Sequence, residues 1–159
     1  MTGSLKDRLV IPVQDYSFDA FHNFLFALYT QIILLIDRWH ILDALPSGWP
    51  CPCDLTELYQ LTDQYGCLTL RDRIGRHLVK ESSHSELVYQ TYDPNGFAAH
   101  FPDLREMFFT RFKEVWNKTG NGSAFAMLIE NMSGREKEHF ICLLAIGLVE
   151  LQYETEFRS

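Results

Sequence analysis

The sequence has 159 residues, of which 47% are apolar and 14% aromatic, and its formal net charge is -7 at pH 7. This length suits one ordinary domain or two small helical modules, and the apolar content excludes a disordered tail. The acidic balance argues against general affinity for nucleic acid, because phosphate binding requires an excess of lysine and arginine.

The first half of the chain is predicted to hold one short edge strand and three amphipathic helices, because apolar residues recur there at steps of three and four. The strand is expected at 9–13, followed by a helix that begins after Asp15 or Ser17 and runs to about residue 29. Asp54 is a suitable N-cap for the second helix, and Glu57 is placed to complete a capping box.

The third helix of this half is predicted to begin at Thr69 as its N-cap and to expose a basic face. That face would carry four cations, namely Arg71, Arg73, Arg76 and Lys80. A solvated helix surface is one interpretation of these residues. A docking surface for an acidic partner protein is the other.

A polar segment at 81–85 is predicted to separate two modules, 1–80 and 81–159. Further helices are expected near 84–92, from about 102 to 118 and after a cap at Ser123, and the last helix is expected to begin at Ser133. The centre of the last helix, FICLLAIGLV, is apolar on nearly every side. It is therefore expected to be fully buried, or covered by something that this chain does not supply.

No catalytic motif is recognised, so the protein is predicted not to be an enzyme and to hold no cofactor or metal. Cys51-Pro-Cys53 lacks the spacing and the second ligand pair of a zinc site. One alternative is a small enzyme or ligand-binding protein with His100 or His139 in a pocket lined by phenylalanines. Five residues are candidates for that lining, although a plain core is the commoner role: Phe97, Phe101, Phe108, Phe109 and Phe112.

The order of patterns in the first half resembles the C-terminal half of a BTB/POZ domain. An F-x-x-F-L-x-x-L-Y-T helix precedes D-L-x-x-L-x-x-L-x-D-x-Y and L-R-x-R helices. The resemblance is carried by Phe21, Phe24, Leu25, Leu28, Tyr29, Thr30, Leu55, Leu58, Leu61, Asp63, Tyr65, Leu70 and Arg71. The segment 101–129 resembles a BACK extension, and the whole looks most like BTB proteins that also carry regulator-of-chromosome-condensation repeats.

The resemblance implies a mainly α protein with one or two short edge strands, in which a partial BTB/POZ-like module, 1–80, packs against a BACK-like helical module, 81–159. It further implies an adaptor of a cullin-RING ubiquitin ligase, with cullin 3 and a homo- or heterodimer partner. The expected partner-binding residues are Leu55, Glu57, Arg71, Arg73, Arg76 and Lys80. The family's N-terminal strands would precede Met1, so a truncated form that needs another chain to fold is a further alternative.

The expected location is the cytoplasm or the nucleus, with no membrane contact. The N-terminus has charges where the apolar core of a signal peptide would begin. The longest apolar runs are far shorter than the roughly 20 residues of a membrane-spanning helix.

Overall fold

The computed structural model describes residues 15–35, 45–118 and 122–157. Within those ranges the chain forms seven α-helices, one short 3-10 helix at Phe97–His100 and no strand, which confirms the predicted mainly α class. The helices are α1 Phe18–Thr30, α2 Leu55–Gln64, α3 Leu68–Glu81, α4 His84–Tyr92, α5 Pro102–Lys118, α6 Ser123–Asn131 and α7 Gly134–Phe157. The strand predicted at 9–13 lies outside the described residues.

Two compact units make up the chain, Met1–Arg71 and Asp72–Ser159, so the division falls inside α3. The sequence patterns place a module boundary later, in the polar segment at 81–85. The assignment of 1–80 and 81–159 to BTB/POZ-like and BACK-like modules stays a prediction.

In the first unit, α1 and α2 are joined at their N-terminal ends. Ser17 caps α1, as one of the two predicted caps, and its hydroxyl accepts a hydrogen bond from the Ala20 N–H at 3.2 Å. Asp54 caps α2 by accepting from the Thr56 N–H at 2.8 Å. The predicted role of Glu57 in a capping box is wrong, because its carboxylate accepts from the Ser17 hydroxyl at 2.7 Å and from the Ser17 N–H instead.

The junction between α2 and α3 is tighter than predicted. Gly66 follows α2 with a φ of +67°, a backbone conformation that glycine adopts readily, and the Cys67 N–H donates to the Thr62 carbonyl at 2.8 Å. The next helix therefore begins at once, at Leu68. Thr69 lies inside the first turn, so its predicted role as N-cap is wrong.

The second unit is built around α4, which packs against both α5 and α7. A complete capping box begins α4: the Ser83 N–H donates to the Glu86 carboxylate at 2.7 Å, and the Glu86 N–H donates back to the Ser83 hydroxyl. The predicted helices near 84–92 and 102–118 are confirmed. Their buried side chains form most of the core, which contains Leu87, Val88, Tyr92, Leu104, Phe108, Phe109, Phe112, Phe125 and Phe140.

Helix α6 begins in a different way from the predicted one. The N-cap is Gly122, with a φ of +97°, while Ser123 is the first helical residue, so the predicted Ser123 cap is wrong. A Cβ at position 122 would lie 2.4 Å from Cη2 of the Trp116 ring. The glycine is therefore required both by the backbone conformation and by the close approach of the indole.

Helix α7 is buried along one side only. Phe140, Leu143, Leu144 and Gly147 face the core, whereas Ile146 is 53%, Val149 69% and Tyr153 60% exposed. The first of the two expectations, a fully buried helix, is therefore wrong. Within the described ranges, α7 and the other helices are all too short or too polar to cross a membrane.

Candidate interaction surface

The sequence pattern predicts that the four basic residues of α3 share one exposed face. This prediction is wrong. Two residues along a helix correspond to a rotation of about 200°, so Arg71 and Arg73 point in opposite directions. The guanidinium of Arg71 is 2.7 Å from the Asp63 carboxylate, and its side chain is only 16% exposed. Arg73, Arg76 and Lys80 are exposed, and they lie within about 60° of one another around the helix axis.

Two of these three cations border a groove in the second unit between α3 and α5. The groove has a volume of about 540 Å³. Its lining consists of Arg76, Val79 and Lys80 from α3 and Glu106, Met107, Thr110, Arg111 and Glu114 from α5. Arg73 is not among the lining residues, so the groove divides the predicted basic face.

The floor of the groove is apolar and its rims are charged. Val79 is buried and Met107 half-buried, so both present carbon or sulfur surface to a bound group. On the α3 rim, Arg76 donates through Nε to the Asp72 carbonyl at 3.2 Å, which steadies the guanidinium near the helix surface. The Lys80 ammonium lies 3.6 Å from the Glu81 carboxylate, and 77% of the Lys80 side chain is exposed. This exposed ion pair is weak, so a carboxylate of a bound ligand can replace Glu81.

The α5 rim contributes less net charge. Arg111 donates to the Glu114 carboxylate at 2.9 Å, one helical turn away, so these two charges largely compensate each other. Glu106 is the other carboxylate of this rim. The groove is therefore positively charged along α3, whereas the one arginine and two glutamates of the α5 rim leave a net negative charge there. This difference favours a ligand that carries its negative charge on the side facing α3.

The remaining predicted partner-binding residues belong to the first unit. Leu55 and Glu57 lie in the first turn of α2, where Leu55 is half-buried and Glu57 accepts hydrogen bonds from Ser17. Arg71 is engaged with Asp63 in the same unit. The structure thus brings together only Arg76 and Lys80 of the six predicted residues in one groove.

A smaller cavity of about 180 Å³ also lies along α5 and shares the lining residue Glu106 with the groove. It is lined by Thr91, Pro102, Arg105, Glu106, Phe109 and Glu150. The nearby Tyr92 is only 7% exposed. Burial and, to a smaller extent, the charge of Glu150 raise the pKa of the Tyr92 hydroxyl far above its usual value, so the group is neutral at physiological pH.

The histidines of the alternative enzyme hypothesis line neither of these two cavities. His100 is exposed, and His139 is 3.0 Å from the Asp93 carboxylate and stacked on the Tyr89 ring. The pKa of Asp93 is lowered, mainly because its carboxylate accepts a hydrogen bond from the Asn95 N–H and, to a smaller extent, because it is hydrogen-bonded to His139. This pair joins α7 to the end of α4, so a role in helix packing accounts for it.

The phenylalanines of that hypothesis divide between core and surface. Phe108, Phe109 and Phe112 are buried, and Phe97 and Phe101 are half-buried with ring centroids 5.0 Å apart. The described residues also include no group of three or more potential metal ligands.

Several residues of the groove were not singled out from the sequence. These residues are Val79, Met107, Thr110 and Glu114. The spacing of 107, 110, 111 and 114 is typical of one helix face. That spacing cannot indicate which other helix lies beside the face.

Comparison with known proteins adds no relative: the chain matches no protein-family model, and no curated protein or solved structure resembles it significantly. The resemblance to BTB/POZ proteins stays a prediction.

Proposed function

We propose that the protein is a protein-interaction module and that the α3–α5 groove binds an acidic segment of a partner protein. The observation that carries the proposal is an apolar floor beside two exposed cations on one rim. Val79 and Met107 would contact an apolar side chain of the partner, and Arg76 and Lys80 would contact carboxylates next to it. No catalytic step is part of this function.

The size of the groove fits a short peptide segment. Its volume of about 540 Å³ lies within the range of roughly 300–1,000 Å³ that is usual for ligand pockets. Burial of one leucine-sized side chain contributes about 2 kcal/mol, and exposed ion pairs add about 0.2–1 kcal/mol each. We therefore expect weak binding that decreases as the salt concentration rises.

A peptide with few charges fits the groove better than a polyanion does. The two cations on α3 face a rim that includes Glu106 and Glu114, and the whole chain has a net charge of -7. A nucleic acid would place phosphates against both rims and meet repulsion at one of them. An acidic segment that presents its carboxylates to α3 alone avoids this repulsion.

The proposal has a finer form, in which the protein is an adaptor of a cullin-RING ubiquitin ligase and cullin 3 is one of its partners. This form rests on the BTB/POZ resemblance of the α1–α3 patterns and not on the groove. Co-elution of purified cullin 3 with the full chain in size-exclusion chromatography is the expected result. Separate elution at micromolar concentrations would remove the cullin from the proposal and leave the groove unaffected.

The groove is tested with a fluorescent peptide that has a central leucine flanked by glutamates. Anisotropy is measured with the full chain, with Arg76→Glu/Lys80→Glu and with Arg73→Glu as the matched control. Arg73 is exposed on the same helix but does not line the groove. If each reversal in the groove removes about 1 kcal/mol, the double variant binds roughly 30-fold more weakly.

The control variant should bind the peptide as tightly as the unaltered chain. A second peptide with lysines in place of the glutamates should bind more weakly than the acidic one. Equal loss of binding in Arg73→Glu, or equal binding of both peptides, would contradict the proposed site. Circular dichroism of each variant verifies that α3 is still folded.

A further inference from the structure

The outward side of α7 carries a continuous apolar strip, which we call the α7 seam. Its residues recur at steps of three and four and are all exposed: Cys142, Ala145, Ile146, Val149 and Tyr153. They lie opposite the buried residues Phe140, Leu143, Leu144 and Gly147. A strip of this kind on a helix of 24 residues, about 36 Å long, is typical of a helix that packs against another helix.

Charged residues mark both ends of the seam, and their signs differ. Arg135 lies in the first turn of α7 and Glu156 in the last, and both continue the heptad spacing of Cys142 and Val149. A second α7 in the parallel direction would place Arg135 against Arg135 and Glu156 against Glu156. An antiparallel one, centred between Ala145 and Ile146, places each Arg135 against a Glu156.

Side-chain sizes along the seam select the same direction. In the antiparallel arrangement the small Ala145 faces Ile146 of the second copy, and the small Cys142 faces Val149. A parallel arrangement would set small residues against small and large against large, which leaves gaps and overlaps. Glu138 would also face Tyr153, whose phenol can donate a hydrogen bond to the carboxylate.

We infer that the α7 seam is the contact surface between two copies of this chain, related by a twofold axis that crosses the seam between Ala145 and Ile146. Two identical Arg135–Glu156 contacts close the ends of the interface, and the apolar residues between them are removed from water. The interface is isologous, as a twofold dimer requires. It shares no residue with the groove, so it stands or falls separately from the proposed function.

A disulfide test distinguishes the two directions. The variant Val149→Cys is made in a background in which Cys51, Cys53 and Cys67 are all replaced by serine, so that Cys142 is the one native cysteine left. The full chain is then oxidised mildly. The antiparallel seam places Cys142 of one copy next to residue 149 of the other. Within one helix these two residues are about 10.5 Å apart along the axis, too far for an internal disulfide.

The expected product is a covalent dimer of Val149→Cys on non-reducing gels. The same background with Cys142 alone, or with Cys142→Ser and Val149→Cys together, should stay monomeric on these gels. Covalent dimers from either single-cysteine form would show the parallel direction and overturn the inference. So would the absence of any covalent dimer together with a monomeric mass in light scattering.

A charge exchange gives an independent readout without cysteine chemistry. Arg135→Glu places like charges at both ends of the interface, and we expect it to weaken the dimer about tenfold in sedimentation equilibrium. Adding Glu156→Arg restores opposite charges and should restore the original dissociation constant. Failure of the second change to restore association would contradict the pairing.

Discussion

Replacement of Gly147 by alanine tests how tightly α4 and α7 are packed. A Cβ at position 147 would lie 2.7 Å from Cε2 and 2.9 Å from Cζ of the Tyr92 ring. Normal carbon contacts are about 3.5–4 Å, so the ring has to move. Phe109 and Phe112 hold that ring in edge-to-face contacts at centroid distances of 6.4 and 5.8 Å, which leaves it little freedom.

Two opposing contributions set the size of the effect. Overpacking in a dense core costs about 1–3 kcal/mol. Alanine gains about 1 kcal/mol over glycine in a helix interior. Because the Tyr92 ring is confined, we expect the upper part of the first range and a net loss of about 1–2 kcal/mol in the free energy of unfolding for Gly147→Ala.

Urea unfolding followed by circular dichroism at 222 nm measures this loss. The same substitution in a Tyr92→Leu background is the decisive control, because the leucine removes the ring atoms that the new Cβ would meet. There we expect Gly147→Ala to stabilise the protein by about 1 kcal/mol. If the substitution has the same sign in both backgrounds, the steric argument is refuted.

Three further substitutions probe the second unit. Ser83→Ala removes both hydrogen bonds that its hydroxyl shares with Glu86 and should lower the unfolding free energy by about 1 kcal/mol, measured in urea; an unchanged midpoint would count against the capping box. Gly122→Ala should cost about 2 kcal/mol or more and alter Trp116 fluorescence, since the Cβ would meet the indole; an identical spectrum would contradict this contact. The pKa of Asp93 is lowered in the folded protein, so its contribution is complete above about pH 4 and is lost as the pH falls below that value. Asp93→Asn should therefore make the acid decline in unfolding free energy shallower, and an unaltered slope would refute that assignment.

The sequence was sufficient to place most helices, because their signals are local. The spacing along α5 and the N-cap Asp54 act within one or two turns of chain. The errors arose where a distant residue took part. Glu57 bonds to Ser17, forty positions away, and Gly122 caps α6 beneath the Trp116 ring, so neither role follows from local spacing.

The candidate site was only partly predictable for the same reason. Arg76 and Lys80 can be identified from the sequence as exposed cations of α3. Their role as part of a binding site depends on Met107 of α5, which lines the same groove. Arg71 was grouped with them by charge, although its position on the helix turns it towards Asp63. Which helices lie side by side is a property of tertiary packing, and one sequence does not contain that information in any local pattern.

Photo-crosslinking from inside the groove tests the central claim most directly. A photoreactive phenylalanine analogue is placed at Thr110, a lining residue, and in a second sample at Arg73, which is exposed outside the groove. After irradiation with the acidic peptide, we expect a covalent adduct at Thr110 that disappears with Arg76→Glu/Lys80→Glu, and little adduct at Arg73. Equal adducts at the two positions, or an adduct that survives the charge reversals, would show that this groove does not select an acidic partner.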